Sequence, residues 1–175
     1  MKVYSDDPET FDAVYAEVFP LLMRVSYHIT LDTGIAEDIC QEAFIRFYHR
    51  TLPFPSEEQA RYWLIRVAKN LSFNYYNRSK RERKAMEDYL RQPRPLPVTG
   101  EEALLLGETE KIVHAAVRKL PEKLRSPLIL KEYGGLSYRE IAKILRISEG
   151  NVKVRIFRAR SRLAEQLSEE EIYVR

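Results

Sequence analysis

One cysteine, Cys40, stands in 175 residues, so the chain can close no internal disulfide and supply no cysteine-rich zinc site. Its three histidines, His28, His49 and His114, fall at no metal-ligand spacing. A glycine-rich phosphate loop and a nucleophile motif are lacking as well, and Asp and Glu are scattered over helix surfaces. These gaps speak against catalysis, a metal site or a cofactor. Long apolar runs are missing too, since none approaches the ~20 residues that a membrane helix needs. The opening MKVYSDDPET is acidic and polar where a secretory leader would carry an apolar core. The expectation is a cytoplasmic binding protein, not an enzyme, with no insertion into a membrane.

Net charge is also small, +3, but it is unevenly placed. Residues 1–86 balance 12 basic against 12 acidic side chains, residues 87–108 set 2 against 5, and residues 109–175 set 15 against 9. The basic excess therefore lies in the last third, with a second local run, RSKRERK, at 78–84. Clustered cations fit a polyanionic partner or a pair of solvated helix faces. An apolar fraction of 45% allows one core or two modest ones, and eleven Tyr and seven Phe against one Trp favour flat, partly polar side chains.

Helix breakers concentrate in one place. RQPRPLPVTGEEA (91–103) holds prolines at 93, 95 and 97 and then Gly100, which would interrupt helix or strand. Everything on either side reads as helix. The spacing thus predicts an all-α chain of two small helical domains, 1–87 and 108–175, joined by a proline-containing linker at 88–107. In the first domain, one helix follows Ser5–Asp6 with Pro8 in its first turn. A second runs from about 35 to 49. A third follows the loop LPFPSEEQ from about residue 58, with Ser56 as its N-cap. In the second domain, helices are expected at 108–119, 121–133, 137–145 and 148–165. Gly134–Gly135 end the second of these, and Ser137 with Glu140 forms a capping box.

The last helix poses a question, because Phe157 stands among Lys153, Arg155, Arg158, Arg160 and Arg162. On a wheel of about 100° per residue, Val152, Ile156, Ala159 and Leu163 form the core stripe, and Val154, Phe157 and Arg158 point the other way. An aromatic ring among cations is poor packing but suits a DNA groove, where cations meet phosphates or guanine edges and the ring meets a thymine methyl. Ser148, Gly150 and Asn151 at the helix start offer backbone N–H groups to a phosphate. With a three-residue turn after the preceding helix, the segment reads as a helix-turn-helix. One feature is awkward: the turn holds Arg146 where glycine would bend more easily.

The same wheel on the third helix places Leu64, Val67, Ala68, Leu71 and Tyr75 inside. Tyr62, Arg66, Lys69, Phe73, Tyr76 and Lys80 fall outside, with Trp63 and Asn70 at the edge and Phe54 in the loop before. Aromatics interleaved with cations can stack on bases and follow a single strand; they can equally pack against a neighbouring helix. On the second helix, Ala36, Cys40, Ala43 and Phe47 point inward. Asp38, Gln41, Glu42 and Ile45 form an outer face, either a protein-docking patch or an ordinary solvated surface.

Three stretches together resemble the extracytoplasmic-function (ECF) sigma factors of the sigma-70 family: AEDICQEAFIRFY (36–48), ARYWLIRVAKNLSFNYYNRSKR (60–81), and LPEKLRSPLILKEYGGLSYREIAKILRISEGNVKVRIFRARSRL (120–163). The resemblance implies a transcription initiation factor that binds core RNA polymerase through its β′ and β subunits, recognises −35 and −10 promoter elements, and aids melting. Carried over by motif, Asp38, Gln41 and Glu42, beside Ile45, would meet the β′ clamp helices. Phe54, Val67 and Asn70 would line a pocket for a flipped −10 base. Lys153, Val154, Phe157 and Arg158 would read the −35 element, with Ser148 and Arg155 at phosphates. The linker would thread past the polymerase active site, and an anti-sigma factor would cover both DNA-binding faces. Asn151, Lys153 and Val154 stand where relatives often have Thr, Lys or Arg, and Ser. A stand-alone helix-turn-helix regulator, dimeric on palindromic duplex, is the alternative reading of the last helix.

Overall fold

A computed structural model describes residues 2–90 and 107–173. The chain divides into two compact units, 1–98 and 99–175. Most of the expected linker, including the three prolines and Gly100, lies outside the described residues. Among the described residues every regular element is a helix, apart from one isolated antiparallel bridge between Val3 and Phe54.

In the first unit, α1 spans Pro8–Thr30, α2 Thr33–Tyr48 and α3 Glu57–Leu90. Local chemistry sets each start. The carboxylate of Asp7 accepts from the amide and hydroxyl of Thr10 at 3.0 and 2.6 Å, which holds its pKa below the usual value. Asp32 accepts from the amide of Ile35 at 3.0 Å, and Ser56 Oγ accepts from the amide of Gln59 at 3.3 Å. Leu31, at φ 56°, closes α1 in the left-handed region, its amide donating to Tyr27 at 2.6 Å. The three helices pack against one another around Val18, Leu22, Val25, Cys40, Phe47, Leu64 and Ile65, all 1% exposed or less. The α2–α3 loop is stitched down: Val3 and Phe54 exchange two 2.9 Å backbone hydrogen bonds, and Ser5 Oγ donates to Arg50 O.

The second unit holds α4 (Glu108–Lys119), α5 (Glu122–Glu132), α6 (Tyr138–Leu145) and α7 (Glu149–Tyr173). Leu124, Leu128, Ile129, Leu136, Ile141, Ile144, Val152 and Ile156 form its core. The capping box at Ser137 and Glu140 is present, both hydrogen bonds made. Gly135 takes φ 64°, as a left-handed turn after a helix requires. Gly134 has a different reason: a Cβ there would lie 2.5 Å from the Leu130 carbonyl oxygen.

Two helices outrun their expected ends. The third runs through the basic cluster to Leu90, three residues into the stretch expected as linker, and the seventh continues to Tyr173 instead of 165. Neither extension contains glycine or proline, and the Glu, Gln and Leu residues in them are good helix formers.

Candidate nucleic-acid interface

The turn between α6 and α7 is three residues, Arg146, Ile147 and Ser148. Arg146 takes φ 57°, ψ 45°, so the position where glycine is the easy choice does adopt the left-handed region, at a cost of roughly 1–2 kcal/mol for an L-residue. Its amide and that of Ile147 both donate back to Ala142, the latter at 3.1 Å. Ser148 Oγ then accepts from the amide of Asn151 at 3.1 Å and starts α7. Two further ties hold α7 in place. Val152, Ile156 and Ala159 are buried against the unit, and Arg160 pairs with Glu132 at the end of α5, which raises the guanidinium's pKa.

What remains outward on the first half of α7 is what the wheel predicts, while Leu163, expected in the core stripe, is only half-buried. Phe157 is 71% and Val154 45% exposed. Lys153 and Arg158 are exposed and Arg155 half-buried, while Ser148, Gly150 and Asn151 are exposed at the helix start. Partners within the chain orient several of them: Arg155 Nε donates to Asn151 Oδ1 at 2.9 Å, and Lys153 Nζ lies 3.3 Å from Glu149.

The third helix is phased differently from its expected wheel. Tyr62, Phe73 and Tyr76, expected outside, are 3%, 1% and 7% exposed; they are core residues and offer no ring for stacking. The physical reason is that α3 packs on both α1 and α2, so more than half of its circumference is covered. Tyrosine rings tolerate this because the hydroxyl can be satisfied, as Tyr62 shows by donating to Glu58 at 2.7 Å. Val67, Leu71 and Tyr75, expected inside, are only half-buried, as are Trp63, Arg66 and Lys69. Phe54 also departs from its expected place. It is 4% exposed, its ring 5.6 Å from Phe47 and 5.5 Å from Trp63, with the Arg50 guanidinium 4.4 Å over it.

The face of α3 that is open consists of Asn70, Asn74 and Asn77, followed by Lys80 and Arg81. The three asparagines and Arg81 fall within about 60° on the wheel. Asn74, Asn77, Lys80 and Arg81 line a shallow polar concavity of ≈ 420 Å³. Asn74, Asn77 and Arg81 were not among the expected site residues. Their signal is the asparagine repeat at i, i+4 and i+7, which a wheel centred on the aromatic residues does not bring out.

On α2, Asp38, Gln41 and Ile45 are exposed and Glu42 half-buried, in a salt bridge with Arg46 at 2.7 Å. Gln41 and Ile45 border an open apolar groove of ≈ 340 Å³ whose other walls are Phe11 and Tyr15 of α1 and Phe44, Tyr48 and His49. The α1 contribution joins this face only through tertiary packing. Among the described residues, no three His, Cys, Asp or Glu side chains could hold a metal ion, and no helix is long and apolar enough to cross a membrane.

Residues 14–82 match the family model for sigma-70 region 2, and residues 110–163 the model for sigma-70, region 4. Over 184 residues the chain is 31% identical to the RNA polymerase sigma-H factor of Pseudomonas aeruginosa, covering 95% of this chain and 90% of that protein. Over 180 residues it is 31% identical to the ECF RNA polymerase sigma factor SigW of Bacillus subtilis, covering 95% and 93%. In fold it is similar to the sigma factor RpoE of Bartonella quintana, solved in complex with the anti-sigma factor NepR. The TM-score is 0.64 at 22% identity, over 91% of this chain and 98% of that one.

Proposed function

Since the chain belongs to the ECF sigma factors of the sigma-70 family, promoter-specificity factors of RNA polymerase, we propose that its two units divide the promoter between them. The second unit reads the −35 element with α7, and the first captures the melted −10 element on α3 while α2 docks on the polymerase. The observation that carries this is the outer face of α7, where an exposed Phe157 lies among cations and opposite a buried apolar stripe.

On α7, Lys153, Val154, Phe157 and Arg158 meet base edges, while Arg155 and the helix start at Ser148–Asn151 meet phosphates. On α3, the reading surface is the Asn70–Asn74–Asn77 face with Lys80 and Arg81. Amide side chains carry both donors and acceptors for an unpaired base, and the cations follow the backbone. Val67 and Trp63, half-buried beside Asn70, form the wall of a pocket for a flipped base. On α2, Asp38, Gln41, Glu42 and Ile45 meet the clamp helices of β′, with further contacts to β. An anti-sigma factor is the proposed regulatory partner. The stand-alone regulator has no specific observation in its favour, since it leaves the polar face of α3 without a role.

In vitro transcription with core polymerase stripped of sigma factors, on a pool of the host's promoter fragments, tests the proposal. Promoter-specific transcripts that require this protein and vanish with Arg158→Ala or Asn70→Ala are expected. Tight binding to duplex DNA without polymerase, and no specific initiation with it, would overturn the reading. Asp38→Ala combined with Gln41→Ala should abolish binding to core polymerase while leaving the helical circular-dichroism signal unchanged.

A further inference from the structure

Two polar side chains at the start of α7 already have partners in the chain. Asn151 accepts from Arg155 Nε at 2.9 Å. Lys153 lies 3.3 Å from Glu149 and 5.7 Å above the centroid of the Tyr138 ring. Gly150 presents no side chain at all, and the space a Cβ would occupy there is open. The side chain left standing at the middle of the outer face is Val154, roughly opposite the Val152–Ile156–Ala159 stripe on a 100° wheel. Phe157 follows one turn later, and the two are 45% and 71% exposed.

An isopropyl group offers no donor or acceptor. Pressed against a polar base edge, it would leave that edge's hydrogen-bonding atoms unsatisfied. Only one apolar group lies on the major-groove edges of DNA, the C5-methyl of thymine. We propose that Val154 and Phe157 form an apolar reading pair that selects thymine methyls on neighbouring base pairs of the −35 element. The inference rests on the α7 reading under Proposed function and adds the base that it prefers. The two residues are three apart, about 4.5 Å along the helix axis, close to the roughly 3.4 Å between successive base pairs. A polar residue at 154 would accept more than one base, whereas valine makes the position a requirement for thymine. Arg158, exposed and with no ion-pair partner among the described residues, supplies the cation beside the pair.

The test uses the holoenzyme formed with sigma-free core polymerase. Transcript start sites from a promoter pool first locate the −35 element, and each of its thymines is then replaced by uracil, which removes only the methyl. Uracil at two neighbouring positions should lower open-complex formation about fourfold each, the weight of one buried methyl. Val154→Ala should make initiation indifferent to uracil at one of the two positions, and Phe157→Ala at the other. Should Phe157→Ala abolish initiation outright, the valine arm alone decides. Specific initiation that responds to uracil nowhere in the element, or a full set of penalties that persists in Val154→Ala, overturns the inference and leaves the sigma-factor function standing. Absence of any specific initiation by the unaltered protein overturns that function, and the thymine preference with it.

Discussion

Cys40 has no exposed surface, and burial, the largest influence on it, pushes its thiol up to about 11. A neutral, enclosed thiol is a poor nucleophile. Cys40 should therefore resist alkylation by iodoacetamide at pH 8 in the folded protein and react on the time course of unfolding. Gly134 is the second residue whose surroundings dictate its identity. Gly134→Ala would drive a methyl into the Leu130 carbonyl 2.5 Å away, and overpacking of this kind costs about 1–3 kcal/mol. Urea unfolding of the second unit should show that loss. Arg146 behaves oppositely, because its φ of 57° is one that glycine adopts without strain. Arg146→Gly should leave stability within about 1 kcal/mol of the parent, the relieved strain offset by a freer unfolded chain.

At the scale of the element, α3 separates two kinds of side chain that look alike on a composition count. Phe73 is 1% exposed, and Phe73→Ala should destabilise the first unit by about 3–5 kcal/mol, visible as an earlier thermal transition. Asn70 is exposed, and Asn70→Ala should leave that transition in place while reducing open-complex formation on promoter DNA. If both variants changed only DNA affinity, the burial assigned to Phe73 would be wrong. For α7 the division is the one visible in its sequence, because a helix lying on the surface of one small core has a single buried stripe and a wheel finds it. A helix seated between two others has no such single stripe, and a wheel centred on its apolar residues then points the wrong way.

For the second unit as a whole, pH sensitivity should come through His114. This side chain on α4 is 8% exposed and stacks near Tyr133 at 6.3 Å. Burial lowers its pKa from 6.5, nearby Arg118 lowers it further, and Glu110 opposes them. A lowered folded-state pKa means that the unfolded chain takes up the proton first. The stability contribution is thus fully present above pH 6.5 and is lost as pH falls below it. The thermal midpoint of this unit should drop between pH 7.5 and 5.5, and His114→Gln should flatten that slope. Binding to promoter DNA should weaken with salt, in proportion to the number of phosphates that the cations of α7 and α3 neutralise.

Helix count, the position of every helix start and the face of α7 were legible in the residues themselves. Asp, Ser and Pro at helix entries and Gly134–Gly135 at an exit act through bonds only a few residues long, so local chemistry suffices to place them. The outer face of α2 was legible for the same reason as that of α7, a clean apolar stripe at helical spacing. Burial of Tyr62, Phe73, Tyr76 and Phe54 was decided only in three dimensions. Tyrosine and phenylalanine serve a core and a nucleic-acid surface equally well, and which one they serve depends on how many neighbours a helix has. The asparagine face of α3 and the aromatic wall that α1 adds to the α2 groove came to light in the same way. Both are defined by what the packing of three helices leaves uncovered, a quantity set by contacts far apart in the chain.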